Sequence, residues 1–479
     1  METLQRTANR GSLSTGYDID NSLKIEGGAA ERMQRASESI GTPTSTKIAT
    51  ISLWVKRTEL KSSGNNFCWL GNAGAVTSFI GFNDDCLRWI SDVSNAGVLK
   101  SDAVFRDTSS WYHIVFAFDT TQSTASNRIK AYVNGVQITS WSTETYPNQD
   151  NVIGIYETNM SHYIGWEDSS AQAGYFADVY LIDGQQLAPT EFGEFDSDTG
   201  IWIPKAYTGT FGDEGYYLDF EDSSSLGADV SGNSNNFANL YNITAADQAT
   251  DTPTNNFCTF NPLSTFAGNF VVSEGATKIQ QSSGNSGYKT HCATIGVTVG
   301  KWYAEFKAGT GWGQGSVGVN QLENSKNWEE GYIGQYSNST AIGMGYMNDG
   351  QFARNGGTGA IGSTYTAGDI IGIALLINSD GTGFMGMHKN GTWQNSQDPS
   401  SGTTGMLGLY YGNPLPDGMF HTFAVTTRHD NGPWLANFGG YPGFTISSGN
   451  SDANGYGNFE YAVPTGYYAL CTKNLAEYG

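Results

Sequence analysis

Residues 130–138 read KAYVNGVQI and residues 387–394 read MHKNGTWQ. An Asn-Gly pair between two strand-like runs constrains a chain strongly. Both central residues of a type I′ turn take positive φ, which Asn and Gly tolerate best, and so tight a turn makes the flanking strands pair antiparallel. The two hairpins lie in long segments that otherwise look different, which predicts antiparallel β structure in both halves.

The runs around the first hairpin agree. KIATISLWVKR, WYHIVFAFD, RIKAYVNGVQI and YFADVYLIDG are rich in β-branched and aromatic residues and bounded by turn formers. In WYHIVFAFD the alternate set Tyr112, Ile114, Phe116 and Phe118 is apolar and the other set nearly so, as in a central strand covered on both faces. In RIKAYV, Ile129, Ala131 and Val133 point one way and Arg128 and Lys130 the other. Only APTEFGEF, 188–195, reads as a short helix. In the second half, GKWYAEFKAG places Trp302, Ala304 and Phe306 toward a core and Tyr303, Glu305 and Lys307 outward, and GDIIGIALLIN and GTGFMGMHKNGTWQ follow as a strand and a hairpin. The 62 Gly, 26 Tyr and 24 Phe suit short strands joined by many turns.

At 479 residues the chain has room for two or three cores. Between 222 and 262 polar turn formers crowd out any apolar period. The expected organisation is a basic arm over 1–16, a sandwich over 17–221, a polar linker over 222–262, a second sandwich over 263–445 and a tail over 446–479.

Several function classes are disfavoured. A net charge of −22 is wrong for a protein that must neutralise phosphates, so nucleic acid is not an expected partner. No apolar run is long enough for membrane insertion, and METLQRTANR lacks the apolar core of a signal peptide, so a soluble chain is expected. The five cysteines form no CxxC or Cys/His cluster. Cys68 and Cys86 lie in neighbouring strand-like runs and could meet across a sheet, but buried free thiols are the preferred reading. GTGAIG at 357–362 matches GxGxxG without a helix to hold a phosphate. His113, inside an apolar strand, reads as a core residue. His421 and His429 would need a third ligand to hold a metal.

Order and motif carry a resemblance. Trp111 to Asp119, followed by a strand and Asn134-Gly135, resembles the laminin G-like version of the concanavalin A-like sandwich. GKWYAEF, GDIIGIAL, KNGTWQ and ANFGGYPGF resemble a SPRY domain, although LLINSDGTGFMGMHKNG departs from the usual acidic residue and aromatic pair of that region. Nearly end to end, from LQRTANRGSLSTGYDIDNSLKIE through YLIDGQQLAPTEFGE, IWIPKAYTG and DTPTNNFCTFNPL to PTGYYALCTKNLAE, the chain resembles virion structural proteins of tailed phages from marine bacteria. The fold class this implies is all-β, with two tandem concanavalin A-like antiparallel β-sandwiches, laminin G-like and then SPRY-like.

The implied role is a non-enzymatic virion appendage, a tail fibre or head decoration protein, at the virion surface after assembly in the host cytoplasm. It would recognise a host-surface glycan or receptor; the rivals are an inert decoration and a glycan hydrolase. A hydrolase needs paired carboxylates, and the Glu-x-Asp-x-x-Glu strand typical of such sandwiches is missing. Amphipathic rings beside amides and carboxylates can stack on sugars, which makes Trp141, Trp166, Trp312, Trp328 and Tyr332 the candidate ligand contacts; packing over the sandwich rim is the alternative. Arg6 and Arg10, in an N-terminal segment with no acid between residues 3 and 17, would dock the arm on other virion proteins. A homo-oligomer is expected, a trimer if phage fibres are the guide. No cofactor is expected; calcium, which laminin G-like domains often hold, would have Asn83, Asp84, Asp85 and Asp119 as its candidate ligands.

Overall fold

The computed structural model describes residues 16–26, 31–60, 65–73, 76–91, 97–156, 159–165, 173–264, 270–282, 287–311, 313–321, 331–335, 343–409, 415, 419–428 and 432–479. The chain divides into two compact units, with the boundary in sequence between Thr254 and Asn255. Each is an antiparallel β-sandwich, and one α-helix, Thr472–Tyr478, occurs among the described residues.

In the first domain the hairpin sheet runs, edge to edge, Val136–Gln137, Ile129–Val133, Trp111–Asp119, Ile48–Arg57, Gly174–Asp183, Ser22–Ile25 and Gln248–Ala249, with Tyr216–Leu218 also paired to Gly174–Asp183. The opposing sheet is Trp141–Thr145, Gly97–Val104, Cys86–Ser91, Val76–Asn83, Asn65–Ala73, Ser161–Ile164, Arg32–Arg35 and Asn239–Tyr241. Alternation with period two sends Ile51, Leu53, Ile114 and Phe116 from one sheet against Trp69, Ile80, Trp89 and Ile164 from the other.

The second domain repeats the plan. Its hairpin sheet holds Gly300–Ala308, Ile370–Ile377, Gly383–Lys389 and Thr392–Trp393, and the opposing sheet runs Tyr288–Cys292, His421–Arg428, Gly315–Gln321, Gly343–Met347, Gln351–Arg354 and Gly357–Ala360. Trp302, Ala304, Phe306, Ile371 and Ile373 meet Val317, Val319, Phe423 and Val425 in its core. GTGAIG is therefore the end of an edge strand, not a phosphate loop.

The Asn-Gly hairpins at 134–135 and 390–391 are built alike. Asn134 and Gly135 have φ of 48° and 76°, and Asn390 and Gly391 have 48° and 80°. Each Asn side chain accepts a backbone N–H from the neighbouring strand, His113 N at 2.7 Å and Ile370 N at 2.8 Å. Each Gly lies under an aromatic ring: an added Cβ would stand 2.3 Å from Trp202 at Gly135 and 2.8 Å from Tyr461 at Gly391.

Those rings belong to a third layer absent from the sequence expectation. In the first domain Phe192, Tyr207, Phe211 and Tyr217 cover Val115, Tyr180 and Ile182 on the outer face of the hairpin sheet. In the second, Met406, Phe459, Tyr467 and Cys471 cover Tyr303, Ala374 and Leu376. Tyr303 and Glu305, expected to face solvent, are fully buried there.

Three boundaries differ from expectation. The stretch 222–262 is not a linker: Leu226, Phe237 and Ile243 plug the first core, and Phe257 and Phe260 belong to the second domain. Its polar residues are consumed locally, since the Asp229 carboxylate accepts backbone N–H groups of Tyr217, Ser231 and Asn235. The fully buried Arg35 donates to Glu214 and to Asn235 Oδ1. The segment 446–479 is not a tail, because Tyr468–Ala469 joins the second hairpin sheet as a parallel strand beside Trp302 and Tyr303, and Leu475 is buried in the core. The expected helix at 188–195 is one 3-10 turn, Pro189–Glu191, followed by the strand Gly193–Phe195 paired to Trp202–Pro204. Its apolar residues follow no helical period; they cover the sheet.

Candidate functional site

Of the aromatic residues singled out in the sequence, Trp166, Trp312 and Trp328 lie outside the described residues, as do Arg6 and Arg10 and all of the arm except Gly16. Trp141 begins the edge strand Trp141–Thr145, opposite Ser101 where the register shifts, and packs partly against the first core. Its placement is the rim-packing alternative.

Tyr332 is different. Residues 331–335 lie on the outer face of the second domain's opposing sheet. There Thr290 Oγ1 donates to Gly331 O at 3.0 Å and lies 2.9 Å from Thr426 Oγ1, while Ile333 N donates to Thr426 Oγ1 at 3.2 Å. Ile333 packs with Cys292 and Ala424. The approach depends on glycine, because a Cβ at Gly343 or Gly345 would come within 3.2 Å of Ile333.

This seat sets the Tyr332 ring 5.3 Å from Tyr288, edge to face at 75°. Tyr288 stands opposite Arg428 in the sheet register, so both project from one face, and the guanidinium carbon lies 5.0 Å from the Tyr288 ring centre. Arg428 Nη1 donates to Gln314 Oε1. Tyr288, Tyr332 and Arg428 are half-buried and Gln314 is exposed. Among the described residues no carboxylate forms an ion pair with Arg428. Two phenol rings, a cation and an amide at one end of a sheet can stack on a sugar ring and hydrogen-bond its hydroxyls or carboxylate. Tyr288, Arg428 and Gln314 were missed from sequence; the available signal was that Arg428 ends a strand whose other face carries the apolar Phe423 and Val425.

Four buried side chains of the kind that hydrolysis uses, His113, His388, Glu305 and Asp178, are engaged in structural hydrogen bonds. His113 Nδ1 accepts the Trp202 indole N–H at 3.0 Å, and because an indole nitrogen only donates, the imidazole proton sits on Nε2, facing Ser52 Oγ at 2.8 Å. A nitrogen that already donates to the serine cannot remove its proton, so the pair is not a nucleophile and base. Burial holds His113 down to about 3, consistent with a neutral ring.

In the second domain Gly391 N–H donates to His388 Nδ1 at 3.1 Å, which places the proton on Nε2 toward Tyr303 Oη at 2.7 Å; Tyr303 in turn donates to Glu305 Oε1 at 3.0 Å. Glu305 also accepts the backbone N–H groups of Glu460 and Tyr461, both at 2.8 Å. The chain clamps the covering segment. Burial pushes the Glu305 carboxyl up to about 7, and likewise Asp178, which accepts from Tyr217 Oη at 2.8 Å.

The candidate calcium ligands are not brought together. Asp84 pairs with Lys100, Asp85 with Arg57 and Arg106, and Asp119 closes its own turn on Thr121 and Gln122. Among the described residues no three His, Cys, Asp or Glu side chains converge as a metal site. His421 is fully buried, and His429 lies outside the described residues. All five cysteines are free thiols, Cys68 and Cys86 included.

Comparison with known proteins bears on the fold. The profile of the family described as "Concanavalin A-like lectin/glucanases superfamily" matches residues 34–185. That match and the two facing antiparallel sheets define the first domain as a concanavalin A-like, laminin G-type sandwich. No curated protein sequence matches the chain. Among solved structures it is similar to a human SPRY domain (19% identity, TM-score 0.26, covering 35% of this chain and 94% of that one) and to the PSpry domain of TRIM65 (17%, 0.26, 38% and 91%). It is also similar to a native heptameric SAP-like pentraxin from Limulus polyphemus (14%, 0.25, 36% and 80%).

Proposed function

We propose that this chain is a non-enzymatic appendage of a tailed-phage virion, a tail fibre or head decoration protein, that recognises a host-surface glycan or receptor. The observation that carries the recognition reading is the Tyr288–Tyr332–Arg428 cluster. It keeps half-buried rings and a cation without a described carboxylate partner at a sheet end, in a chain of net charge −22. The lectin/glucanase description of the matching family supports carbohydrate as the ligand class. The virion reading rests on the order of sequence motifs, and places the protein at the virion surface with other virion proteins as partners of the arm bearing Arg6 and Arg10. The non-enzymatic reading is supported by His113, His388, Glu305 and Asp178, each committed to a buried structural hydrogen bond.

The test is attachment of the purified protein to host cells and to a glycan array. Tyr332→Ala and Arg428→Ala should each weaken binding by about 2 kcal/mol, roughly thirtyfold, without lowering thermal stability. Trp312→Ala and Trp328→Ala test the other candidates on the same array. Failure of the parent protein to attach means an inert decoration instead, unchanged attachment in all four variants means that these residues are not the binding site, and release of reducing sugar would establish a hydrolase.

A further inference from the structure

The covering layer of the first domain contains two buried lysines that meet aspartates from the returning segment. Lys56 Nζ lies 2.6 Å from Asp251 Oδ2, and Lys24 Nζ lies 2.9 Å from Asp247 Oδ1. Both lysines flank Tyr175 in the sheet register and point away from the core. The second pair has an additional acid: Glu31 Oε2 stands 3.5 Å from Lys24 Nζ. Side-chain exposures are 1% for Lys24, 8% for Asp247 and 21% for Glu31.

We propose that Lys24 and Asp247 join in an intramolecular amide bond, with Glu31 carrying the protons. Each part of the reaction has a group in place. The Asp247 carboxyl is oriented through Oδ2, which accepts the Thr244 backbone N–H at 2.8 Å and the Thr244 hydroxyl at 3.1 Å, and this leaves Oδ1 toward the lysine. Glu31 is fixed by the Glu26 backbone N–H, 2.6 Å from Oε2. Burial raises its carboxyl above the ordinary range, which favours uptake of a proton.

Glu31 removes one proton from the Lys24 ammonium. The freed lone pair attacks Asp247 Cγ, forming the C–N bond and driving the carbonyl electrons onto Oδ2, where the Thr244 donors stabilise them as an oxyanion hole would. Glu31 delivers that proton to Oδ1 and then relays a second from nitrogen. The Cγ–Oδ1 bond breaks, and Oδ1 leaves as water. An ammonium and a carboxylate become one amide and one water; no oxidant or cofactor is consumed, and Glu31 is regenerated. In the nearby Lys56–Asp251 pair, Asp251 Oδ1 accepts the Trp111 indole N–H at 3.1 Å, a group that does not exchange protons as a carboxylate does. Lys56–Asp251 is an ion pair in the same layer and serves as an internal comparison.

The bond would tie the strand Ser22–Ile25 to the segment that closes the same sheet at Gln248–Ala249. The domain's first and last strands would then be unable to peel apart, a useful property for an external particle component.

The experiment is intact mass measurement of the full chain under denaturing conditions, followed by peptide mapping. The expected mass is one water below that of the sequence, with a peptide containing Lys24 joined to one containing Asp247. Lys24→Arg and Glu31→Gln should each restore the full mass while circular dichroism shows folded protein. A parent chain that keeps its full mass after prolonged incubation at neutral pH overturns the proposal, as does a one-water deficit that persists in Lys24→Arg. Succinimide formation at the Asn-Gly pairs loses ammonia, not water, and maps to other peptides, so a deficit of that kind also counts against it.

Discussion

Replacing Lys56 with Met tests whether the polar contacts in the covering layer hold the first domain together. The Lys56 and Asp251 side chains are 0% and 1% exposed, with Nζ 2.6 Å from Oδ2. At that separation and an effective dielectric near 20 the Coulomb attraction is about 6 kcal/mol, and most of it only offsets the loss of hydration on burying two ions. The intact pair therefore adds little net stability. Removing one member, however, leaves the Asp251 carboxylate buried without its lysine, at a cost of about 3–5 kcal/mol. A domain of this size loses about 2–4 °C per kcal/mol, which predicts a fall of about 6–20 °C in its melting temperature. Scanning calorimetry of the full chain should show that shift in one transition only, with the second domain as internal reference. Lys56→Met combined with Asp251→Leu should recover most of the loss, because two apolar groups leave no charge unpaired. A single-variant shift below about 2 °C, or a double variant as unstable as the single, would refute the reasoning.

Other perturbations separate the remaining claims. With the Glu305 carboxyl pushed up to about 7 by burial, the folded second domain binds this proton more tightly than the unfolded chain, so its contribution is full below about 4.5 and is lost as pH rises through 7. Thermal scans should show that transition weakening by up to about 1.4 kcal/mol per pH unit in this window, with the slope flattened in Glu305→Gln. Gly135→Ala should cost about 1–2 kcal/mol for its positive φ and about 1 more for displacing Trp202 from His113, measured by chemical denaturation; Gly391→Ala should cost mainly the φ term. Limited proteolysis should spare 222–262, since Leu226, Phe237, Phe257 and Phe260 are buried; early cleavage inside that stretch would contradict the packing.

The sequence by itself determined what is local. Period-two runs such as WYHIVFAFD and GKWYAEF specified strands and their core-facing sets, and the Asn-Gly pairs at 134–135 and 390–391 specified hairpins, because positive φ and side-chain alternation are properties of neighbouring residues. Tyr332 was legible as an aromatic residue in a Gly-rich polar segment. Its partners Tyr288 and Arg428 were not, since only the strand register sets them side by side. The third layer and the plug of the first core were decided wholly by tertiary structure. Leu226, Phe237 and Ile243 follow no period, and the polar residues between them look like a linker until Asp229 and Asn235 are seen closing turns and receiving Arg35. Lys56 and Asp251 are 195 residues apart, and Glu305 reads as an outward strand residue until Glu460 and Tyr461 return to cover it. Those contacts depend on where distant segments come to rest after the sheets form, and a buried charge carries no local signature of the partner that will neutralise it.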